Sequence, residues 1–300
     1  MLPRADDPTY EPAFVQALLE AAIPEMRPGR VAALARGWDC DVFVVDDTHV
    51  VRMARNLSAA AGLTREASVL PSLAARLPLP VPLPVHLGAI PGEAALCFGV
   101  YRLLPGTALC ETSGSVGDED VLARDLGHFL RALHAEALVP EVPPETLGRL
   151  DPSRRSAQVR EALSQLEWEG GLARAHRVRL VRALDEAEGC ALAPAEVLVH
   201  GDLHRCNVLI AQGRCSGVID WIDLHRGHPA VDLAAAFTTV GRSSRAALLE
   251  AYGPVAPETV QWARWRAITM LSLAVVGALT RGDGTMAHTC VGMLRDISAA

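Results

Sequence analysis

The chain has 300 residues, half of them hydrophobic, and a formal net charge of -7. This is enough length and apolar content for one bilobal enzyme or two modest domains with a real core, and an acidic, aromatic-poor chain carries no footprint for nucleic acid. The longest apolar run, Ala267 to Thr280, is too short to cross a bilayer and predicts a buried helix, so no membrane partner is expected.

The opening MLPRADDPTY has no basic start leading into an apolar run, so no secretory signal is expected and the protein reads as soluble and cytoplasmic. Its seven cysteines are odd in number, scattered and free of CxxC spacing, which points to reduced thiols rather than a disulfide frame or a zinc site. All 28 basic residues are arginine. The absence of lysine matters wherever a phosphate must be gripped, because arginine is always charged and binds bidentately.

In chain order, the apolar runs Val31–Ala35 and Val42–Val45 flank Gly37-Trp38-Asp39-Cys40-Asp41, a strand-turn-strand layout that could lay backbone amides over phosphates. No GxGxxG or GxxxxGK[ST] motif supports it. His49-Val50-Val51-Arg52-Met53 reads as the next strand. Leu63, Leu70 and Leu77, joined by Ala67 and Leu73, mark one apolar face of a helix over 64–77, and Glu66 falls within that face. A carboxylate there needs a cation; Arg52 is the expected one, with a solvated Glu66 or a pair with Arg65 or Arg55 as alternatives. Pro78 to Pro84 predicts a stiff connector, and Phe98 to Leu103 a hinge leading into Leu104-Pro105-Gly106-Thr107. After an acidic, Gly-rich turn (Gly114 to Asp120), Leu122, Leu126, Phe129, Leu130 and Leu133 predict an amphipathic helix. Helical segments follow around Ser156–Glu169 and Leu172–Ala187.

The stretch from His200 to Asp232, HGDLHRCNVLIAQGRCSGVIDWIDLHRGHPAVD, carries the chemistry. Four residues separate Asp202 from Asn207, a spacing that can set a carboxylate beside a substrate hydroxyl and an amide oxygen beside Mg2+. Val208-Leu209-Ile210, a turn at Gln212-Gly213-Arg214, and Gly217-Val218-Ile219 read as a hairpin leading to Asp220. Carboxylate and amide oxygens suit Mg2+, which takes few protein ligands beside phosphates and water. The competing readings are a loop whose Asp and Asn only make turns, and a dinuclear hydrolase centre using His200, His204, His225 and His228.

This stretch resembles the signature of the aminoglycoside phosphotransferase family, small-molecule kinases that include aminoglycoside and macrolide phosphotransferases. The resemblance implies an α+β, bilobal protein-kinase-like fold, with a small β-rich nucleotide-binding lobe over 1–102 and a larger helical lobe over 103–300. The acceptor is expected against a helical subdomain at about 140–194. It also implies Asp202 as catalytic base and Asn207 and Asp220 as holders of Mg2+. Arg52 takes the place of the phosphate-binding lysine, paired with Glu66. Gly37 belongs to the nucleotide turn and Val100 to the hinge where backbone groups would meet the purine of ATP or GTP. Gly227-His228-Pro229-Ala230-Val231-Asp232 continues the pattern, with His228 where many relatives have Asp. Asp232 is expected to order the catalytic loop through backbone N–H groups.

The implied function is transfer of the γ-phosphoryl of ATP or GTP to a hydroxyl of a small molecule, most readily an antibiotic. A kinase of an amino alcohol such as choline or homoserine, and a silent nucleotide-binding module, are the alternatives; a protein kinase lacks room for its activation loop after Asp220. From Arg149 to Glu188 eight arginines face seven acids, and from Gly241 onward six arginines face four. Neither segment is acidic enough to single out a polycationic aminoglycoside. Asp223, Glu250, Glu258 and Asp283 are the carboxylates that folding could gather. His204, Arg205, His225 and His228 receive no role.

Overall fold

A computed structural model describes residues 8–37, 39–112 and 117–299. Trp38 of the Gly-Trp-Asp turn, the first residues of the 114–120 turn, and the segment 1–7 read for a signal lie outside the described residues. The chain divides into two compact units, Met1–Gly106 with Ser216–Leu224, and Thr107–Cys215 with His225–Ala300.

The first unit begins with helix α1 (Pro12–Ala22). A five-stranded sheet follows, built from β1 (Val31–Arg36), β2 (Cys40–Val45), β3 (His49–Ala54), β4 (Pro84–Ile90) and β5 (Glu93–Arg102) in the order β1-β2-β3-β5-β4. All its neighbours run antiparallel. β2 and β3 are short, Val-rich strands joined at Asp46 and Asp47, both with positive φ (50° and 51°), the primed-turn geometry that fits strand twist. The Asp46 carboxylate fixes the corner by accepting from the N–H groups of Gly29 and Arg30 at 3.0 and 2.7 Å. Helix α2 (Leu57–Ala74) packs on this sheet. It starts seven residues before the predicted 64–77 because the Asn56 side chain caps it, accepting from Ala59 N–H at 2.9 Å. Val15, Leu19, Phe43, Val51, Met53, Leu63, Phe98 and Tyr101 meet in the core, with Ile222 from the second segment. Gly62 lets α2 approach that segment, since a Cβ there would fall 2.8 Å from Ile222 Cγ1.

The second unit is helical around small sheets. β6 (Thr107–Ala108) is followed by α3 (Glu119–His134), α4 (Pro152–Trp168) and α5 (Arg174–Glu188). The caps explain where these helices begin: Asp118 accepts from Asp120 N–H and Asp151 from Ser153 N–H. The latter, with Pro152 in the first turn, starts α4 earlier than the apolar pattern suggests. β7 (Val197–Val199), β8 (Val208–Ala211), β9 (Arg214–Val218), which runs from this unit into the Ser216–Leu224 segment of the first, and β10 (His225–Gly227) follow. Gln212 and Gly213, with φ of 52° and 76°, turn the chain from β8 into β9. Short helices α6 (Ala230–Leu233) and α7 (Ala235–Thr238) precede α8 (Arg245–Tyr252), α9 (Pro257–Thr280) and α10 (Gly284–Ser298). The predicted buried helix is the second half of α9, where Ala267, Ile268, Val275 and Ala278 are fully buried. Among the described residues no helix is long and apolar enough to cross a membrane.

One expectation fails. Cys110 and Cys206 form a disulfide, with Cα atoms 4.9 Å apart, where the sequence suggested only reduced thiols. Ninety-six residues separate them, so spacing gave no signal. The pairing of β6 with β8, extended by Leu109 N–H to Val208 O at 2.8 Å, carries Cys110 to the start of β8 beside Cys206.

Candidate active site

Two constellations hold the residues singled out by sequence. The first, in the sheet unit, centres on Glu66. It is fully buried on α2, and its oxygens lie 2.8 and 3.0 Å from Arg52 Nη1 on β3. The structure thus brings these two residues together and leaves the alternative partners Arg65 and Arg55 elsewhere, Arg65 donating to Ile222 O at 2.6 Å and Arg55 to Gly37 O at 3.0 Å. Two further donors complete the carboxylate: Tyr101 hydroxyl at 2.9 Å and Trp221 N–H at 2.7 Å. Neither was expected as a partner of Glu66; Tyr101 lies near the end of β5, between Val100 and Arg102.

Arg52 Nη2 donates to Asp220 Oδ1, so the guanidinium joins Glu66 to the residue expected to hold Mg2+. Burial alone would lower the Arg52 pKa, but the carboxylates of Asp220 and Glu66 reverse this and hold it above its usual value. Asp220 sits at φ 64°, a left-handed conformation that aspartate tolerates better than most residues. Its side chain is 46% exposed, so a carboxylate oxygen remains within reach of a cation. Asp39 lies in the same field. Burial, and then the charges of Asp223 and Asp220 against its Asn56 hydrogen bond, raise its pKa.

Gly37 and Val100 are placed differently from their expected roles. The Gly37 N–H donates to Cys40 O at 2.8 Å and its carbonyl accepts from Arg55, so its backbone closes the β1–β2 hairpin. Val100 is fully buried in the middle of β5, paired with Val51 on β3 and His86 on β4. A strand flanked on both sides offers a purine no open edge, and the chain leaves the sheet only after Arg102.

The second constellation is the His200–Asn207 loop of the helical unit, which the sequence expects to be catalytic. Asp232, fully buried on α6, accepts from His200 N–H at 2.7 Å and Gly201 N–H at 2.9 Å. These are the loop-ordering bonds expected of it. A third contact, His134 Nε2 at 3.2 Å, links it to α3, and His134 Nδ1 lies 2.9 Å from Tyr252 hydroxyl on α8. Burial would raise the Asp232 pKa; His134, then His200 and Gly201 N–H, outweigh it and hold it low. Arg149 braces the other side of the loop, its Nε donating to Gly201 O at 3.1 Å. Sequence reasoning missed His134, Tyr252 and Arg149 because each comes from a helix or loop far along the chain.

From this platform the loop presents Asp202 and Asn207. Asn207 Nδ2 donates to the Asp202 carbonyl at 2.9 Å, which fixes the amide and leaves its oxygen as the atom suited to a hard cation. His204 Nε2 lies 3.4 Å from Asp202 Oδ2. Burial would raise the Asp202 pKa, but His204, with Arg266 and His200, keeps it below its usual value and the carboxylate ionised. Arg205 turns away from Asp202 to the carbonyls of Thr239 and Leu109. His225 lies in the β7–β10 pairing and His228 bonds Ala230 N–H near the start of α6. Among the described residues no group of three or more His, Cys, Asp or Glu side chains could hold a metal. An amide and a carboxylate fit Mg2+ because phosphate oxygens and waters supply most of its shell.

Residues 30–268 match the family model described as APH, Phosphotransferase enzyme family. The chain is 33% identical over 213 residues to viomycin phosphotransferase of Streptomyces vinaceus, covering 66% of this chain and 70% of the relative. Among solved structures, the GDP complex of wild-type aminoglycoside 2'-phosphotransferase-IIIa shares the fold at a TM-score of 0.72 and 18% identity, over 97% of this chain and 99% of that one. Macrolide 2'-phosphotransferase type I is 25% identical at a TM-score of 0.60, over 96% and 98% of the two chains. A family match across the sheet, the catalytic loop and most of the helical unit shows that this chain belongs to the phosphotransferase enzyme family.

Proposed function

We propose that the protein transfers the γ-phosphoryl group of ATP or GTP to a hydroxyl of an antibiotic, in a Mg2+-dependent reaction in the cytoplasm. The observation that carries this reading is the catalytic loop itself: Asp232 ties down His200 and Gly201, and Asn207 is bonded to the Asp202 carbonyl, so a base and a metal-facing amide are fixed in one turn. Asp202 orients the acceptor hydroxyl and takes its proton as the oxygen–phosphorus bond forms and the bond to the β-phosphate oxygen breaks. When bound, Mg2+ offsets phosphate charge; Asn207 and Asp220 are the side chains that would hold it. Arg52, held by Glu66, positions the phosphates. Gly37 and Val100 contribute through the shape of the hairpin and the packing of β5. Residues 1–102 act as the nucleotide lobe and 103–300 as the catalytic lobe, with the acceptor against 140–194.

The relatives named above act on viomycin, aminoglycosides and macrolides, so the acceptor class is an antibiotic. Within α4 and α5 most of the acids are paired: Asp185 and Glu188 with Arg160, Glu167 with Arg177, Glu186 with Arg182. Acids engaged in this way contribute little net field, which favours a weakly charged, macrolide-type acceptor over a polycationic aminoglycoside. Nucleoside diphosphate release with ATP and GTP, with and without Mg2+, across macrolides, viomycin, aminoglycosides and amino alcohols tests this. Stimulation by an antibiotic supports the reading; stimulation by choline or homoserine alone contradicts it.

A further inference from the structure

Gly62, Arg65 and Glu66, at helical spacing on one face of α2, meet the backbone that follows Asp220, all within the sheet unit. Glu66 Oε1 accepts from Trp221 N–H at 2.7 Å, and Arg65 Nη2 donates to the Ile222 carbonyl at 2.6 Å. Gly62 lies so close that a Cβ there would fall 3.0 Å from that same carbonyl oxygen. Ile222 is buried, so its carbonyl is turned against the helix and needs a donor from the protein. On the other side, the Trp221 indole N–H donates to Val218 O at 3.0 Å and Leu224 N–H to Trp221 O at 2.9 Å. Asp220 itself holds a φ of 64°, a conformation that persists where its surroundings enforce it.

We infer that Arg65 is a positioning residue for the Mg2+ site: by holding the Ile222 carbonyl against α2 it fixes the backbone from which Asp220 projects. The inference rests on Asp220 holding Mg2+, as proposed above. Glu66 anchors the peptide directly after Asp220, and Arg65 anchors the chain two residues on. Glu66 also serves Arg52 and Tyr101, so its substitution does not isolate this contact. Without the Arg65 guanidinium the buried carbonyl loses a charged donor, and the segment shifts to find another partner. Groups that brace a ligating carboxylate matter by about tenfold to a hundredfold in metal affinity. Arg65 touches neither metal nor nucleotide in this scheme; it acts through the chain.

Charge alone predicts the opposite sign. A guanidinium near a divalent cation repels it, so removing Arg65 would strengthen Mg2+ binding if the residue acted only through its field. The experiment is a Mg2+ titration of ATP and GTP binding to the full chain by calorimetry, with no acceptor present. Thermal melting reports folding, and kcat is measured with an accepted antibiotic at limiting and saturating Mg2+. Arg65→Met, which keeps the apolar stem, is expected to need about tenfold more Mg2+ for half-maximal nucleotide binding. Its nucleotide affinity in EDTA should be unchanged, and its kcat should approach that of the parent at saturating Mg2+. Arg65→Gln, also neutral, is read in the same way where Arg65→Met fails to fold. In an Asp220→Asn background, Arg65→Met should add no further shift, since the residue it positions is gone.

A Mg2+ requirement equal to or below that of the parent would overturn the inference and leave Arg65 as a contact that only stabilises the fold. An equal further shift in the Asp220→Asn background would overturn it too, by showing that Arg65 acts independently of Asp220. A parent-like Mg2+ response in Asp220→Asn alone would remove the metal assignment and the inference with it, a result that appears before Arg65 is altered.

Discussion

Glu66 holds Arg52 through both carboxylate oxygens, at 2.8 and 3.0 Å, from a position with no exposure to solvent. The same carboxylate receives Tyr101 hydroxyl and Trp221 N–H, so four hydrogen bonds converge on one buried charge. Removing a partner from a buried pair leaves the other uncompensated, at about 3–5 kcal/mol. Glu66→Ala should therefore lose about 3–5 kcal/mol in urea unfolding, and Glu66→Gln should keep more stability while raising the KM for nucleotide. A Glu66→Ala protein as stable as the parent would show that Arg52 finds compensation elsewhere.

Asp232 sets an acid limit on the fold. Its folded pKa is depressed because His134, His200 and Gly201 N–H outweigh the cost of burial. A depressed carboxylate contributes stability that is fully present above its unfolded pKa, about 3.9, and is lost as pH falls through the lower folded value. Urea midpoints measured between pH 7 and pH 2 should fall less steeply below about pH 4 for Asp232→Asn than for the parent. Parallel curves would mean that Asp232 is not a source of the acid sensitivity.

The Cys110–Cys206 bond ties the residue before Asn207 to the segment after β6. A cross-link of that sequence separation restricts the unfolded chain by about 2–5 kcal/mol. Dithiothreitol and Cys110→Ser should each lower the melting temperature, and the reductant should have no further effect on the variant. Thiol titration under denaturing conditions without reductant should find the five free cysteines, Cys40, Cys97, Cys190, Cys215 and Cys290; seven reactive thiols would contradict the bond.

Gly127 on α3 faces α8 so closely that a Cβ would crowd the Leu248 carbonyl and the Ala251 side chain. Backbone cannot yield as a flexible side chain can, so Gly127→Ala should destabilise by about 1–3 kcal/mol, although alanine favours helix. A neutral or stabilising effect in thermal melting would show that the two helices separate freely.

Legibility in the sequence followed how local each signal was. Apolar periodicity marked α2, α3 and α9, while side-chain caps at Asn56, Asp118 and Asp151 set the starts of α2, α3 and α4. Asp202, Asn207 and Asp220 stood out as candidates because a short loop and hairpin set them at fixed offsets, and the Glu66 pair with Arg52 was legible because a carboxylate on an apolar face demanded a cation. What was not legible came from tertiary convergence: Tyr101 and Trp221 on Glu66, His134 and Tyr252 behind Asp232, and a disulfide brought about by the register of β6 on β8. Gly37 and Val100 show the converse. Their positions along the chain suited nucleotide contact, yet their backbones are engaged in a hairpin and a central strand.

The most direct test of the central claim is kcat for Asp202→Asn with Mg-nucleotide and an accepted antibiotic, alongside nucleotide affinity. The account predicts that kcat falls by about 10²- to 10⁴-fold while nucleotide binding is unchanged, since it assigns Asp202 to the acceptor hydroxyl and not to the donor. A variant that turns over within a few-fold of the parent would contradict Asp202 as the base.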